Sequence, residues 1–113
     1  MPAANYDILI EQGATYRQEF IWKDSEGEAI DLSGYTARMK IRQLKTDNVI
    51  VSLTSGSGIQ LSSGGSIIVS ISATDTEMLP LCRARYDLEL VNGSGTVTRL
   101  LQGFVTISAE VTR

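Results

Sequence analysis

Histidine is absent from the 113 residues, cysteine occurs once at Cys82, proline twice, and aromatic side chains make up only 6% of the chain. Without histidine the chain lacks the usual general base near neutral pH and the commonest transition-metal ligand. A lone cysteine excludes an intramolecular disulfide, so packing or oligomer contacts must supply the stability. No apolar run approaches the roughly 20 residues that span a bilayer, and the first residues carry no signal-like basic and apolar segments, so no membrane association is expected. Positive charge is also in deficit. Ten Lys and Arg stand against thirteen Asp and Glu, a formal net charge of −3, so nucleic acid is not an expected partner.

What is present is period-two alternation broken by glycine-rich turns. Tyr86, Leu88 and Leu90 alternate with Arg85, Asp87 and Glu89, and Val105, Ile107, Ala109 and Val111 alternate with Thr106, Ser108, Glu110 and Thr112. Between these arms lies Asn92-Gly93-Ser94-Gly95, the strongest hairpin signal in the chain. Near Leu100-Leu101-Gln102-Gly103-Phe104 the alternation slips, which predicts a β-bulge or a strand covered on both faces, as at a subunit interface.

Earlier in the chain, Tyr6 to Glu11 reads as a strand with Tyr6, Ile8 and Ile10 on one face. The stretch Thr15 to Lys23 places Tyr16, Phe20 and Trp22 together, with Trp22 expected at the centre of the core. Asp24-Ser25-Glu26-Gly27-Glu28 is a polar turn without the spacing of a calcium-binding loop. Ile30 and Leu32 are expected to tuck under the domain, with Asp31 or Ser33 capping that turn. Tyr35 to Gln43 alternates most cleanly, and its outward face carries Arg38, Lys40 and Arg42, extended by Lys45. That stripe reads either as a solvated face paired with Asp87 and Glu89 or as an electrostatic contact to an acidic partner. Val49 to Thr54, Ile59 to Leu61 and Ser66 to Ser72 are further strands, the last two joined as a hairpin through Ser62-Ser63-Gly64-Gly65.

Ser72 to Leu79 is the one helical stretch, with Ser72 or Thr74 as N-cap and Pro80 as stop. Met78, Leu79 and Leu81 are expected to seal one end of the core, and Cys82 to be a small buried side chain. The glycines at 56, 58, 64 and 65 lack the Lys-Ser/Thr ending of a phosphate loop and read as turn residues. No catalytic triad can be assembled, and Asp87 with Glu89 lie on one outward face, not across a cleft. The pattern predicts an antiparallel sandwich or small barrel. No catalytic, metal-binding or cofactor-binding residue is assigned.

Several segments, taken in order, carry a resemblance. They are Asp7-Ile8 with Gln12-Gly13-Ala14-Thr15-Tyr16, then Trp22-Lys23-Asp24-Ser25-Glu26-Gly27, then Ile30 to Arg42. Gly58-Ile59, Ile67, Val69 and Tyr86-Asp87-Leu88-Glu89-Leu90 follow, with Arg99-Leu100-Leu101-Gln102-Gly103 and Glu110-Val111-Thr112-Arg113 closing the series. Together these resemble small β-rich structural proteins of tailed bacteriophages and are similar to the N-terminal attachment domains of baseplate upper proteins and tail-fibre adaptors. The resemblance implies an all-β, antiparallel immunoglobulin-like β-sandwich of about seven to nine strands with one short helix, forming a single domain over residues 1–113. It implies a virion component, assembled in the host cytoplasm, that docks on the tail or baseplate and holds a fibre or a neighbouring virion protein, oligomeric in the particle. Larger members continue into a fibre or host-binding region, so a chain ending at Arg113 is expected to be a connector or cement protein.

The residues expected at an interface are Arg38, Lys40, Arg42, Leu100 and Phe104. Two other non-enzymatic readings stand beside the adaptor: a capsid decoration protein, and a carbohydrate-binding module using Trp22 or one of Tyr6, Tyr16, Tyr35 and Tyr86. An enzyme working through Asp or Glu is the remaining class.

Overall fold

The computed structural model describes residues 3–109. The chain forms β1 (Ala4–Asn5), β2 (Ile8–Glu11), β3 (Tyr16–Ile21), β4 (Thr36–Gln43) and β5 (Val49–Ser55). It continues through β6 (Gly58–Leu61), β7 (Ser66–Ile71), α1 (Ala73–Glu77), β8 (Arg83–Val91) and β9 (Val97–Ser108). Alternation becomes burial wherever a strand has one face to hide. On β4, Ala37, Met39 and Ile41 are buried between exposed Arg38 and Lys40, and on β8, Ala84, Tyr86, Leu88 and Leu90 are buried.

Hydrogen bonding runs in the order β1-β9-β8-β4-β5-β6-β7-β3, with β2 also on β9. The sheet folds over into two layers, a front layer of β1/β2, β9, β8, β4 and β5 and a back layer of β6, β7 and β3. They close on one cluster in which Ile10, Ile41, Leu88, Leu90 and Val105 from the front meet Ile59, Ile67 and Val69 from the back. Each such aliphatic side chain contributes roughly 2 kcal/mol by leaving water. A three-stranded layer facing a layer in which the first strand joins the last is the arrangement of an immunoglobulin-like β-sandwich. With a single cysteine, the inter-sheet disulfide of antibody domains is replaced by this aliphatic packing.

One part of the expectation is corrected: the sheet is mixed, not antiparallel throughout. β1 and β2 both run parallel to β9, and β5 runs parallel to β6 over Thr54↔Gly58 and Ser55↔Ile59. No hairpin ties β1 and β2 to β9, so their direction is set only by which residues the core needs, here Ile8 and Ile10. At the second site Gly56 and Gly58 adopt φ of +86° and +98°, and Ser57 N–H donates to the Thr54 carbonyl at 2.8 Å. Two left-handed glycines carry the chain from the front layer to the back without reversing it.

Other differences are local. The first strand breaks at Tyr6–Asp7, leaving Tyr6 40% exposed, because the Tyr86 hydroxyl donates to the Tyr6 carbonyl and Asp7 Oδ1 accepts the Phe104 N–H at 3.0 Å. Trp22 is half-buried, not central: it caps one end of the core, edge-on to Tyr35 with ring centroids 5.9 Å apart. Of the three residues expected to seal the other end, only Leu79 is buried, while Met78 is 81% and Leu81 58% exposed. The fully buried Thr76 does the anchoring instead, its hydroxyl donating to the Ala14 carbonyl at 2.8 Å and accepting the Gly13 N–H at 3.1 Å. Cys82 is half-buried against the core. Ala109 is exposed beyond the end of β9, and the expected continuation through Glu110, Val111 and Thr112 to Arg113 lies outside the described residues.

Several expectations hold. Ser72 is the N-cap, its hydroxyl accepting the Asp75 N–H, and Asp31 Oδ1 accepts the Ser33 N–H at 2.9 Å while Leu32 is buried. β6 and β7 form the expected hairpin. The pairing of β8 with β9 shifts register between Leu88 and Glu89, which places the extra residue of a β-bulge at Leu100.

Candidate docking face

The buried alternation of β4, β8 and β9 forces the intervening residues onto one outer face of the front layer. Register then decides who sits beside whom: Arg38 faces Glu89, Lys40 faces Asp87 and Arg42 faces Arg85 across the β4–β8 pair. On the other side of β8, Glu89 faces Arg99 and Arg85 faces Phe104. Strand twist makes this face concave. The concavity measures about 650 Å³, and its rim and floor include Lys40, Arg42, Leu44, Arg85, Arg99 and Phe104.

Two ion pairs knit the face together, Arg38 to Glu89 at 2.7 Å and Arg99 to Asp87 at 3.5 Å. A third arrangement sits at its end. Arg42 and Arg85 are opposed like charges, a destabilising cross-strand pair that a counter-ion relieves. Asp47, in the turn between β4 and β5, supplies it, at 2.7 Å from Arg85 and 4.0 Å from Arg42. Its backbone has φ +59°, a left-handed conformation that aspartate tolerates better than most residues. The hydrogen bond from Arg85 holds the Asp47 carboxyl below the usual carboxylate range.

The face nevertheless keeps a surplus of cations. On β4, the following turn, β8 and β9, the cations are Arg38, Lys40, Arg42, Lys45, Arg83, Arg85 and Arg99, and the carboxylates are Asp47, Asp87 and Glu89. Lys40 lies opposite Asp87, but Asp87 is drawn to Arg99, and among the described residues no carboxylate forms an ion pair with Lys40 or Arg83. Arg83 instead lies over the Phe104 ring, 5.1 Å from its centroid. Phe104 is 47% and Leu44 43% exposed. Apolar anchors set among guanidinium groups are the composition that protein interfaces favour.

Four of the five residues expected at an interface, Arg38, Lys40, Arg42 and Phe104, are therefore brought onto one face. Leu100 is not: the bulge turns it against the core, where it is half-buried. Arg83, Arg85, Arg99, Leu44 and Asp47 were not singled out by the sequence. Alternation did place Arg85 outward, but only the β4–β8 register joins it to Arg42. Asp87 and Glu89 are spent on arginines within this face. Among the described residues, no group of three or more His, Cys, Asp or Glu is placed to hold a metal ion, and no helix is long and apolar enough to cross a membrane.

No protein-family model matches the chain, and no curated protein matches its sequence. Solved structures do match. One is a chain from a structure of T-cell specificity and activation by the bacterial superantigen toxic shock syndrome toxin-1, 14% identical, covering 92% of each chain with a TM-score of 0.51. At that identity the likeness concerns the fold alone. Another is the extracellular domain of the voltage-gated sodium channel beta4 subunit, 12% identical over 98% of this chain and 97% of that one. The TM-score of that match is 0.45.

Proposed function

We propose that the chain is a non-enzymatic docking domain of a tailed-phage virion, a connector in the tail or baseplate that binds other virion proteins through the outer face of β4, β8 and β9. The observation that carries this reading is the concave face itself, where Phe104 and Leu44 are set among Lys40, Arg42, Arg83 and Arg85. A face of apolar anchors ringed by guanidinium groups suits a protein partner, with the charges steering approach and the anchors slowing release. The assignment to a virion rests on the resemblance of the turn and strand segments to phage attachment domains. Repetition in a particle would make such a modest surface sufficient, because each added contact acts at high effective concentration.

The test is to separate tails from heads of the assembled particles on a density gradient and quantify this chain in each fraction by mass spectrometry. Presence with tails is expected, and Phe104→Ala is expected to lower the incorporated amount several-fold with an unchanged circular dichroism spectrum. Finding the chain on tail-less heads would replace the connector with a capsid decoration protein, and its absence from both would remove the virion reading.

A further inference from the structure

Two exposed surfaces of this chain, the loop entering β4 and the outer face of the front layer, carry opposite charge excesses. β4 pairs Thr36 with Val91 at one end and Gln43 with Ala84 at the other, and eight residues at about 3.3 Å each hold the two ends roughly 25 Å apart. The loop entering β4 at the Thr36 end carries Asp24, Glu26, Glu28 and Asp31 against the single cation Lys23. The far end of the front face carries Arg42, Lys45, Arg83 and Arg85 against Asp47. Glu11 on β2 and Asp75 and Glu77 on α1 border that end from other elements and do not line the concavity.

Shape follows charge. Residues 23–29 form a hairpin tip closed by the Lys23↔Ala29 bridge and by Asp24 N–H donating to the Glu28 carbonyl at 2.8 Å. Asp24 Oδ1 accepts the N–H groups of both Glu26 and Glu28, at 2.9 and 3.0 Å. Asp24 thus holds the turn rigid while the exposed Glu26 and Glu28 project from it. A pre-organised tip costs little ordering entropy on binding. Its acidic convex surface complements the concavity, whose lining sets Lys40, Arg42, Arg85 and Arg99 against Asp87 and Glu89 and where Lys40 has no carboxylate partner among the described residues.

We propose that the cationic concavity of one copy takes the acidic 24–28 tip of a second copy, so that copies of this chain associate head to tail. The proposal rests on the docking reading of the same face and names its partner. Such a contact is heterologous: each copy offers both surfaces, and whether the series closes into a ring is set by the rotation between copies.

Sedimentation velocity of the full chain at low and high ionic strength tests it. Concentration-dependent oligomers are expected at low salt, with association weakened about tenfold or more at high salt, because the contact is between exposed charges. Lys40→Gln with Arg85→Gln removes the socket, and Glu26→Gln with Glu28→Gln removes the tip. Each double variant is expected to be monomeric alone. Mixed, they are expected to form a one-to-one heterodimer and nothing larger, since each brings one intact surface. Thermal melts by circular dichroism check both folds, and the single Lys40→Gln variant, at an exposed position, gives a second measure of the socket.

A wild-type chain that stays monomeric at low salt overturns the proposal, as does a mixture of the variants that yields no heterodimer. If the wild type is monomeric and the socket variant still loses its association with particles, only the self-docking partner is wrong and the docking face stands.

Discussion

Gly103 shows how much one side chain, or its lack, decides in this fold. It sits on β9 where the chain of Tyr6 and Asp7 crosses, and a Cβ there would run into the Tyr6 carbonyl oxygen and lie 2.9 Å from Asp7 Oδ1. Backbone cannot retreat as a flexible side chain does, so Gly103→Ala is expected to cost about 2 kcal/mol by forcing β1 and β2 off β9. A chemical-denaturation midpoint that is unchanged would contradict this. Thr76 is the polar counterpart, a fully buried hydroxyl that satisfies the Gly13 N–H and the Ala14 carbonyl at once. Thr76→Val keeps the shape and strands both partners, with an expected loss of about 1–3 kcal/mol, whereas Thr76→Ser retains the hydroxyl and is expected to lose less. Equal losses in the two variants would mean that packing, not hydrogen bonding, holds α1.

At the scale of elements, the strands differ in how many neighbours protect them. β8 is hydrogen-bonded along its length by both β4 and β9, while β1 is a two-residue strand attached only to β9. Amide hydrogen exchange is expected to be slowest on β8, at Tyr86, Leu88 and Leu90, and fast at Ala4 and Asn5. Slow exchange on β1 with fast exchange on β8 would reverse this picture of the front layer. The bulge at Leu100 belongs to the same scale. By adding one residue to β9 opposite the β8 ladder, it lets Leu101 face the core and Arg99 face Glu89, so the one break in alternation keeps both faces of a twelve-residue strand correct.

For the whole molecule, the two layers bring Tyr6 from the segment between β1 and β2, Tyr16 from β3 and Tyr86 from β8 into one electrostatic neighbourhood. Burial, and then the nearby Tyr6, pushes the Tyr16 phenol up from 10.0 to about 12. Burial likewise raises Tyr86, with Tyr16, Tyr6 and Asp7 adding to it. In the unfolded chain these phenols ionise near 10.0, while in the fold they stay protonated to higher pH. Their contribution is therefore fully present below pH 10 and is lost as pH rises from there through about 12. Stability measured across this range is expected to fall, with phenolate absorbance of two tyrosines appearing only as the protein unfolds. Ordinary titration of Tyr16 and Tyr86 in the folded state would refute this.

The sequence by itself determined most strands and turns, a helix N-cap at Ser72 or Thr74 and the inward residues of β4 and β8, because alternation, glycine and capping chemistry act over a few neighbouring residues. It also marked Arg38, Lys40 and Arg42 as outward and Phe104 as a candidate interface residue. The parallel pairing of β1 and β2 with β9, the crossing at Gly56 and Gly58, the burial of Thr76 and the meeting of Arg42 with Arg85 over Asp47 were decided only by tertiary structure. Those features join residues as much as 97 positions apart, as in the bond from Phe104 to Asp7. No local pattern encodes register between distant strands: it is settled when two layers compete to bury the same core.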